Sequence, residues 1–156
     1  MQIEIVEADF SNDKHASDIL FLTNAYAEDE MGMEEPLSER VTGKLISELR
    51  AMPAALTFLA YSDGNPAGIA NCFIGFSTFE ARKLINIHDL CVLDEYRGQG
   101  IGEQLLAVVQ KKARKLNCCR LTLEVRDDNE PARRLYRRFG FEDDDPAMWF
   151  LTKEFY

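Results

Sequence analysis

The stretch Arg97-Gly98-Gln99-Gly100-Ile101-Gly102 constrains this fold more than any other part of the chain. It follows an apolar run, Leu84 to Leu93, and opens an amphipathic stretch from Ile101 to about Leu116. A strand, a glycine-rich turn and a helix in that order build an anion cradle. The backbone N–H groups of such a turn point inward, and the helix dipole adds partial positive charge at the same place. Glycine is needed because part of the turn has φ > 0, and because a side chain would hold phosphates off the backbone. The expected ligand carries a pyrophosphate.

Composition narrows the class. A chain of 156 residues suits a single domain, residues 1–156, with a core large enough to fold alone. Hydrophobic content of 46% and charged content of 29% are the proportions of a globular protein in water. No apolar run approaches the roughly 20 residues that cross a bilayer. Met1-Gln2-Ile3-Glu4-Ile5-Val6 lacks the basic-then-apolar plan of a signal peptide, so a cytoplasmic location without a membrane partner is expected. A net charge of −9 argues against nucleic acid, whose phosphates need excess Lys and Arg, and favours a cationic or neutral acceptor. Cys72 and Cys91 sit in apolar runs and read as core. Cys118-Cys119 has neither C-x-x-C spacing nor a nearby His, so no metal site is expected.

The order of elements points to an α/β (α+β) sheet. Residues 2–6 alternate as a first strand, and Ile19, Leu22 and Tyr26 recur at helical spacing in Ser17 to Tyr26. Gly32 and Pro36 mark a loop over Glu28–Pro36. Ser38 caps a second helix with the stripe Val41, Leu45, Ile46 and Leu49. Thr57–Tyr61 and Ala67–Phe76 are strands joined by Asp63-Gly64-Asn65-Pro66, a hairpin signal. Leu84–Leu93 is the fourth strand and Leu121–Val125 the fifth. Asn129 caps a last helix, with Pro131 in its first turn and Gly140 after its end. Phe141 onward and Met148–Thr152 read as two final strands. The expected architecture is a mixed, twisted sheet of about six to seven strands with helices on both faces.

Two better-known phosphate loops do not fit. The dinucleotide fingerprint needs G-x-G-x-x-G on the first strand of its unit, and here Gly98, Gly100 and Gly102 give G-x-G-x-G late in the chain. The P-loop ends in Gly-Lys-Ser/Thr, whereas Gly102 is followed by Glu103 and Gln104. Arg97, Gly100 and Gly102 do match Arg/Gln-x-x-Gly-x-Gly/Ala. A second constellation accompanies it: Asn129, then Tyr136 seven residues later, then Gly140-Phe141. Together these resemble the GNAT superfamily of acetyl-CoA-dependent N-acyltransferases. The resemblance is specific over residues 84–141 and looser over 2–153.

The resemblance implies the GNAT fold and acetyl-CoA as co-substrate. It implies that Arg97, Gly98, Gln99, Gly100, Ile101, Gly102 and Glu103 hold the pyrophosphate, with Asn129 beside the cofactor. It also implies that the backbone of Leu90, Cys91 and Val92 pairs with the pantetheine arm and polarises the thioester carbonyl. Tyr136 is implied as general acid to the departing thiolate. The residues agree with that placement: Leu135 and Phe139 make an i, i+4 core pair, and Tyr136 is turned about 100° from Leu135. His88 and Asp89 end near the thioester by position, and either, through a water, is the candidate base.

Within the superfamily, Ser17-Asp18-Ile19-Leu20, Asn129-Glu130-Pro131 and Lys153-Glu154-Phe155-Tyr156 look like the diamine (spermidine/spermine-type) N-acetyltransferases. Those enzymes place carboxylates after the first helix, where Glu28, Asp29 and Glu30 stand here. They also place a Glu-Asp dipeptide before the cofactor strand end, where this chain has His88-Asp89. The expected substrate is a primary amine, polyamine-like or lysine-like, with Glu28, Asp29, Glu30 and His88 as acceptor contacts. A protein lysine or N-terminal acetyltransferase and a non-catalytic acyl-CoA sensor are the alternatives. The apolar run Met148-Trp149-Phe150-Leu151 with Phe155-Tyr156 suits no open sheet edge, so a homodimer is expected.

Overall fold

Asp63 and Gly64 both take positive φ, 48° and 83°, as a two-residue type I′ turn requires. In the computed structural model, which describes residues 1–156, that turn joins β2, Ala55–Ser62, to β3, Asn65–Ser77. β4, Arg82–Val92, lies antiparallel to β3, and β1, Ile3–Glu7, antiparallel to β2. β5, Leu121–Leu123, joins β4 in parallel. The result is a mixed five-stranded sheet in the order β1-β2-β3-β4-β5.

The helices lie on both faces, as the alternation along the strands requires. On one face Phe58, Ala60, Ala70, Cys72, Ile85 and Ile87 pack with Ile101, Leu105, Leu106 and Val109 of α4, Ile101–Lys115. Tyr136 of α5, Glu130–Phe139, belongs to the same cluster. On the other face Leu59, Tyr61, Ile69 and Cys91 pack with Ile19 and Leu22 of α1, Asp13–Glu28. Each fully buried Leu or Ile contributes about 1.5–3 kcal/mol over its exposed state. α1 starts earlier than Ser17 because the Asn12 side chain accepts from His15 N at 3.1 Å and caps it there.

The second helix is two pieces, α2 at Glu39–Thr42 and α3 at Leu45–Ala51. Ser38 does cap the first, accepting from Val41 N at 3.3 Å. Gly43 then ends it, since glycine is a poor helix former, and the ladder restarts after Lys44.

The sheet has five strands rather than six to seven. Residues 141–156 form no strand, and Met148, Trp149, Phe150 and Leu151 are exposed. Their apolar pattern is β-like, but Glu142-Asp143-Asp144-Asp145-Pro146 intervenes, and carboxylates and proline are poor ladder formers.

One irregularity in β4 positions everything that follows. Asn71 of β3 pairs with Asp89, but the next residue, Cys72, pairs with Ile87. His88 is therefore the extra residue of a β-bulge, unpaired and exposed. The bulge reverses the phase of the strand. Ile85 and Ile87 face α4 before it, and Leu90 and Val92 face α4 after it, while Cys91 turns to the α1 side.

Candidate active site

Beyond the bulge, β4 and β5 part. Their last pair is Ile87 with Leu123, while β4 continues alone to Val92. The wedge opens into a cleft of about 420 Å³, a size ordinary for small-molecule sites. Leu90, Cys91 and Val92 form its floor, and the backbone of this unpaired edge is available to a ligand. The glycine loop and α4 make one wall, Asn129, Leu135 and Tyr136 of the α5 region another. Tyr26, Asp29, Glu30 and Met31 close it from above.

The glycine loop has the geometry of an anion cradle. Gly98 and Gly100 sit at φ +74° and +80°, and no atom lies within 4 Å of where a Cβ would be. Arg97 N donates to Asp94 O and Gln104 N to Gly100 O. Between them the amides of residues 98–103 donate to no backbone carbonyl, at the positive end of α4. Gly102 serves packing, since a Cβ there would stand 3.1 Å from Leu135 Cδ2. Six free donors beside open space fit a diphosphate such as that of coenzyme A. Gln99 folds back, its Nε2 donating to Glu95 O at 3.3 Å, so it offers the cradle its amide only. Glu103 lines the cleft at its first helical turn.

Arg97 is engaged within the protein. Its Nη2 meets Asp29 Oδ2 at 2.8 Å, its Nη1 meets Asp94 Oδ1 at 2.6 Å, and its Nε donates to Val92 O at 2.9 Å. Asp29 also accepts from Met31 N at 2.9 Å. Burial raises the Asp29 pKa, but these hydrogen bonds and the guanidinium charge outweigh it and hold the carboxyl below its usual range. On the far side Arg126 Nη1 donates to Glu30 O at 3.3 Å. The segment after α1 is thus fastened to both walls of the cleft.

Among the acceptor residues expected from sequence, Asp29 and Glu30 line the cleft, and Glu28 and His88 do not. Glu28 lies outside, accepting from Asn24 Nδ2 at 3.0 Å. His88 stands on the outer side of the bulge, edge-on to Phe73 at 5.6 Å. Asp89 is set back from the cleft in a polar network. Asn71 Nδ2 donates to Asp89 Oδ2 at 3.1 Å and to Thr23 Oγ1 at 3.2 Å, and Thr57 donates to Asn71 Oδ1 at 2.9 Å. Burial pushes the Asp89 pKa up, partly offset by His88 and by the Asn71 hydrogen bond.

Tyr136 reaches the cleft from α5. Asn129 caps that helix, accepting from Ala132 N at 3.3 Å, and Gly140 ends it at φ 108°. Tyr136 is 9% exposed and packs edge-on against Phe141 at 5.8 Å. Burial, then the nearby Tyr26, pushes its hydroxyl up to about 12. Tyr26 and Met31 are cleft residues that sequence reasoning missed, as it missed Arg126, which lies outside the lining and holds Glu30. Tyr26 sits in register with Ile19 and Leu22, so its spacing reads as core, and Arg126 carries no local signal at all.

Strand wedge, free amide cradle and facing tyrosine define an acyltransferase of the coenzyme A-binding kind. The acetyltransferase (GNAT) family model matches residues 19–141, and the chain belongs to that family, whose co-substrate is acetyl-CoA. It is 38% identical over 71 residues to the thialysine N-epsilon-acetyltransferase of Bos taurus, covering 46% of this chain and 41% of that protein. The chain spans about half the length of the curated relatives it matches. Its fold is similar to that of the ribosomal-protein-alanine N-acetyltransferase of Brucella melitensis biovar Abortus 2308. That TM-score is 0.77 at 20% identity, over 98% of this chain and 100% of that one. It is similar also to AAC(6')-Iy bound to the bisubstrate analogue CoA-S-monomethyl-acetylneamine, with TM-score 0.78 at 17% identity, over 98% and 99%. No helix is long and apolar enough to cross a membrane.

Proposed function

We propose that residues 1–156 act as one N-acetyltransferase domain that moves acetyl from acetyl-CoA to a primary amine by direct attack in a ternary complex. The observation that carries this reading is the row of free amides, residues 98–103, beside the β4 edge that β5 leaves open. Acetyl-CoA supplies the acetyl group as a thioester. The amides of 98–103 hold its diphosphate, and the edge from Leu90 to Val92 aligns the arm and supplies an N–H to the carbonyl oxygen. Asn129 lines the same wall with its side-chain N–H₂ uncommitted to the cap.

Tyr136 keeps its proton at neutral pH because burial holds its hydroxyl at about 12, and it donates that proton to the leaving sulfur. The amine attacks as its neutral form, and its proton leaves through water. Asp89 is the better base of the expected two, since burial raises its proton affinity and it lies near enough to Tyr26 to shift that hydroxyl. Cys91 lines the cleft but stays a thiol, pushed up to about 11 by burial, so no covalent enzyme intermediate is used.

The acceptor is a cationic amine, polyamine-like or lysine-like. Glu30 and Glu103 line the cleft without an ion-pair partner, Glu103 in the first turn after the glycine loop and Glu30 on the acceptor side, and the thialysine relative supports the same class. The remaining acidic residues of the loop serve solubility. The protein works in the cytoplasm without nucleic acid or membrane, and the exposed apolar tail at 148–151 pairs two copies as a homodimer. The test is thiol release from acetyl-CoA with neutral amines, diamines, lysine and N-terminal alanyl peptides. Turnover with small cationic amines supports the reading; turnover with peptides alone moves the acceptor to protein, and none at all moves the protein to an acyl-CoA sensor.

A further inference from the structure

Besides Tyr136, the cleft is lined by Tyr96, in the short turn before the glycine loop, and by Tyr26, to which the family resemblance assigns nothing. Tyr26 lies in the last turn of α1, on the side opposite Tyr136, directly before the segment Asp29–Met31 that closes the site. Its ring packs against the α1-side core, which includes Cys91 of β4, and it lines the cleft together with Cys91 and Asp29. It is thus over the end of β4, facing the floor from which the thioester carbonyl is polarised. Tyr61 commits its hydroxyl to Asp18 Oδ2 at 2.6 Å. Neither Tyr26 nor Tyr136 makes any such side-chain hydrogen bond, so both present a free hydroxyl to one cleft.

A free hydroxyl half-buried against an otherwise apolar floor is a group awaiting a partner. We infer that the Tyr26 hydroxyl is the contact for the attacking nitrogen, so that two tyrosines divide the reaction between them. Tyr26 accepts a hydrogen bond from the amine N–H and turns the nitrogen lone pair toward the carbonyl carbon. The N–C bond then forms and the C–S bond breaks. Tyr136 gives its proton to sulfur and regains one from the proton that nitrogen releases to water. Tyr26 remains a neutral phenol throughout, because burial and the surrounding carboxylates raise its pKa. Its part is orientation, and one hydroxyl hydrogen bond contributes modestly on the scale of a general acid.

This assignment rests on the acetyl-transfer reading, and the experiment separates the two. Calorimetry compares wild type and Tyr26→Phe for CoA alone and for a conjugate of CoA joined through a thioether acetyl to 1,3-diaminopropane. Wild type binds both, and the conjugate more tightly. In Tyr26→Phe the affinity for CoA is unchanged, which also certifies the fold, and the affinity for the conjugate falls roughly three- to tenfold. Steady-state kinetics with the best amine give a matching fall in kcat/KM for amine with KM for acetyl-CoA unchanged. Equal conjugate affinity in the two proteins, or a loss confined to CoA, overturns the assignment of Tyr26. Failure of wild type to bind CoA overturns the acetyl-transfer reading instead.

Discussion

Arg97 and Asp29, 68 residues apart in sequence, meet at 2.8 Å across the mouth of the cleft. The pair joins the glycine loop, where we propose the diphosphate binds, to the segment that follows α1. It also leaves a carboxylate beside an anion-binding site. Asp29→Asn removes that charge and frees the guanidinium for phosphate. CoA affinity rises, by up to about fivefold because the pair is partly exposed and an exposed pair is worth about 0–1 kcal/mol. Titration of CoA at low and high salt checks this, and the gain shrinks as salt rises.

Glu30→Gln raises KM for a diamine and leaves KM for acetyl-CoA alone, while Glu28→Gln changes neither, since Glu28 lies outside the cleft. The comparison of the two variants on one charged and one uncharged amine is the measurement. Equal behaviour of the two variants removes Glu30 from the acceptor site.

Gly100→Val loses CoA binding with the fold retained. The position sits at φ +80°, where a β-branched residue is strained, and its side chain would stand in the open cradle. Gly102→Val acts differently, pressing on Leu135 and driving α4 from α5, so its melting temperature falls as well. Calorimetry and thermal melts on both variants separate blockade from repacking.

Tyr136→Phe keeps the ring packed on Phe141 and removes the proton donor. kcat falls by about 10²–10⁴ with little change in KM for acetyl-CoA. Because the hydroxyl is held at about 12, wild-type kcat/KM rises with pH as the amine deprotonates and shows no falling limb below about pH 10. A falling limb at neutral pH assigns the acid elsewhere.

Asp89 titrates in the opposite sense to a salt-bridged carboxylate. Its folded pKa is raised above the ordinary carboxylate value of 3.8, so its ionised form opposes folding. The stability it lends is full below pH 3.8 and is lost as pH rises through the higher folded value. Asp89→Asn is therefore at least as stable as wild type at pH 7, and that advantage disappears toward pH 4. Melting temperatures at the two pH values decide it. Removing residues 147–156 tests the homodimer, and light scattering at micromolar concentration reports a shift to monomer.

What the sequence made legible was local. Asp63-Gly64 carries its own turn geometry, Asn129 and Gly140 bracket their helix, and the glycine loop between strand and helix marks an anion cradle. What it hid depends on partners far along the chain. Tyr26 has the spacing of a core residue, and only the parting of β4 from β5 makes a cleft for it to face. Asp29 reads as one of several free carboxylates until Arg97 arrives beside it. The apolar tail has strand-like composition, but composition supplies no neighbour to pair with. His88 reads as a base from its place near the strand end, and its place in the ladder is legible only from the β3 register.

That bulge gives the strand a spare residue. His88 takes no partner in the ladder, so many side chains serve equally well at its position. Its removal is absorbed as well: Ile87 stays opposite Cys72, Asp89 stays opposite Asn71, and plain alternation keeps Leu90 and Val92 toward α4 and Cys91 toward α1. What goes is the local bend and the added twist. Deleting Ile87 instead draws the His88 imidazole into that residue's place against α4. A scan of single-codon deletions across β4 should therefore find its most tolerated position here, with the sheet intact and the strand straightened.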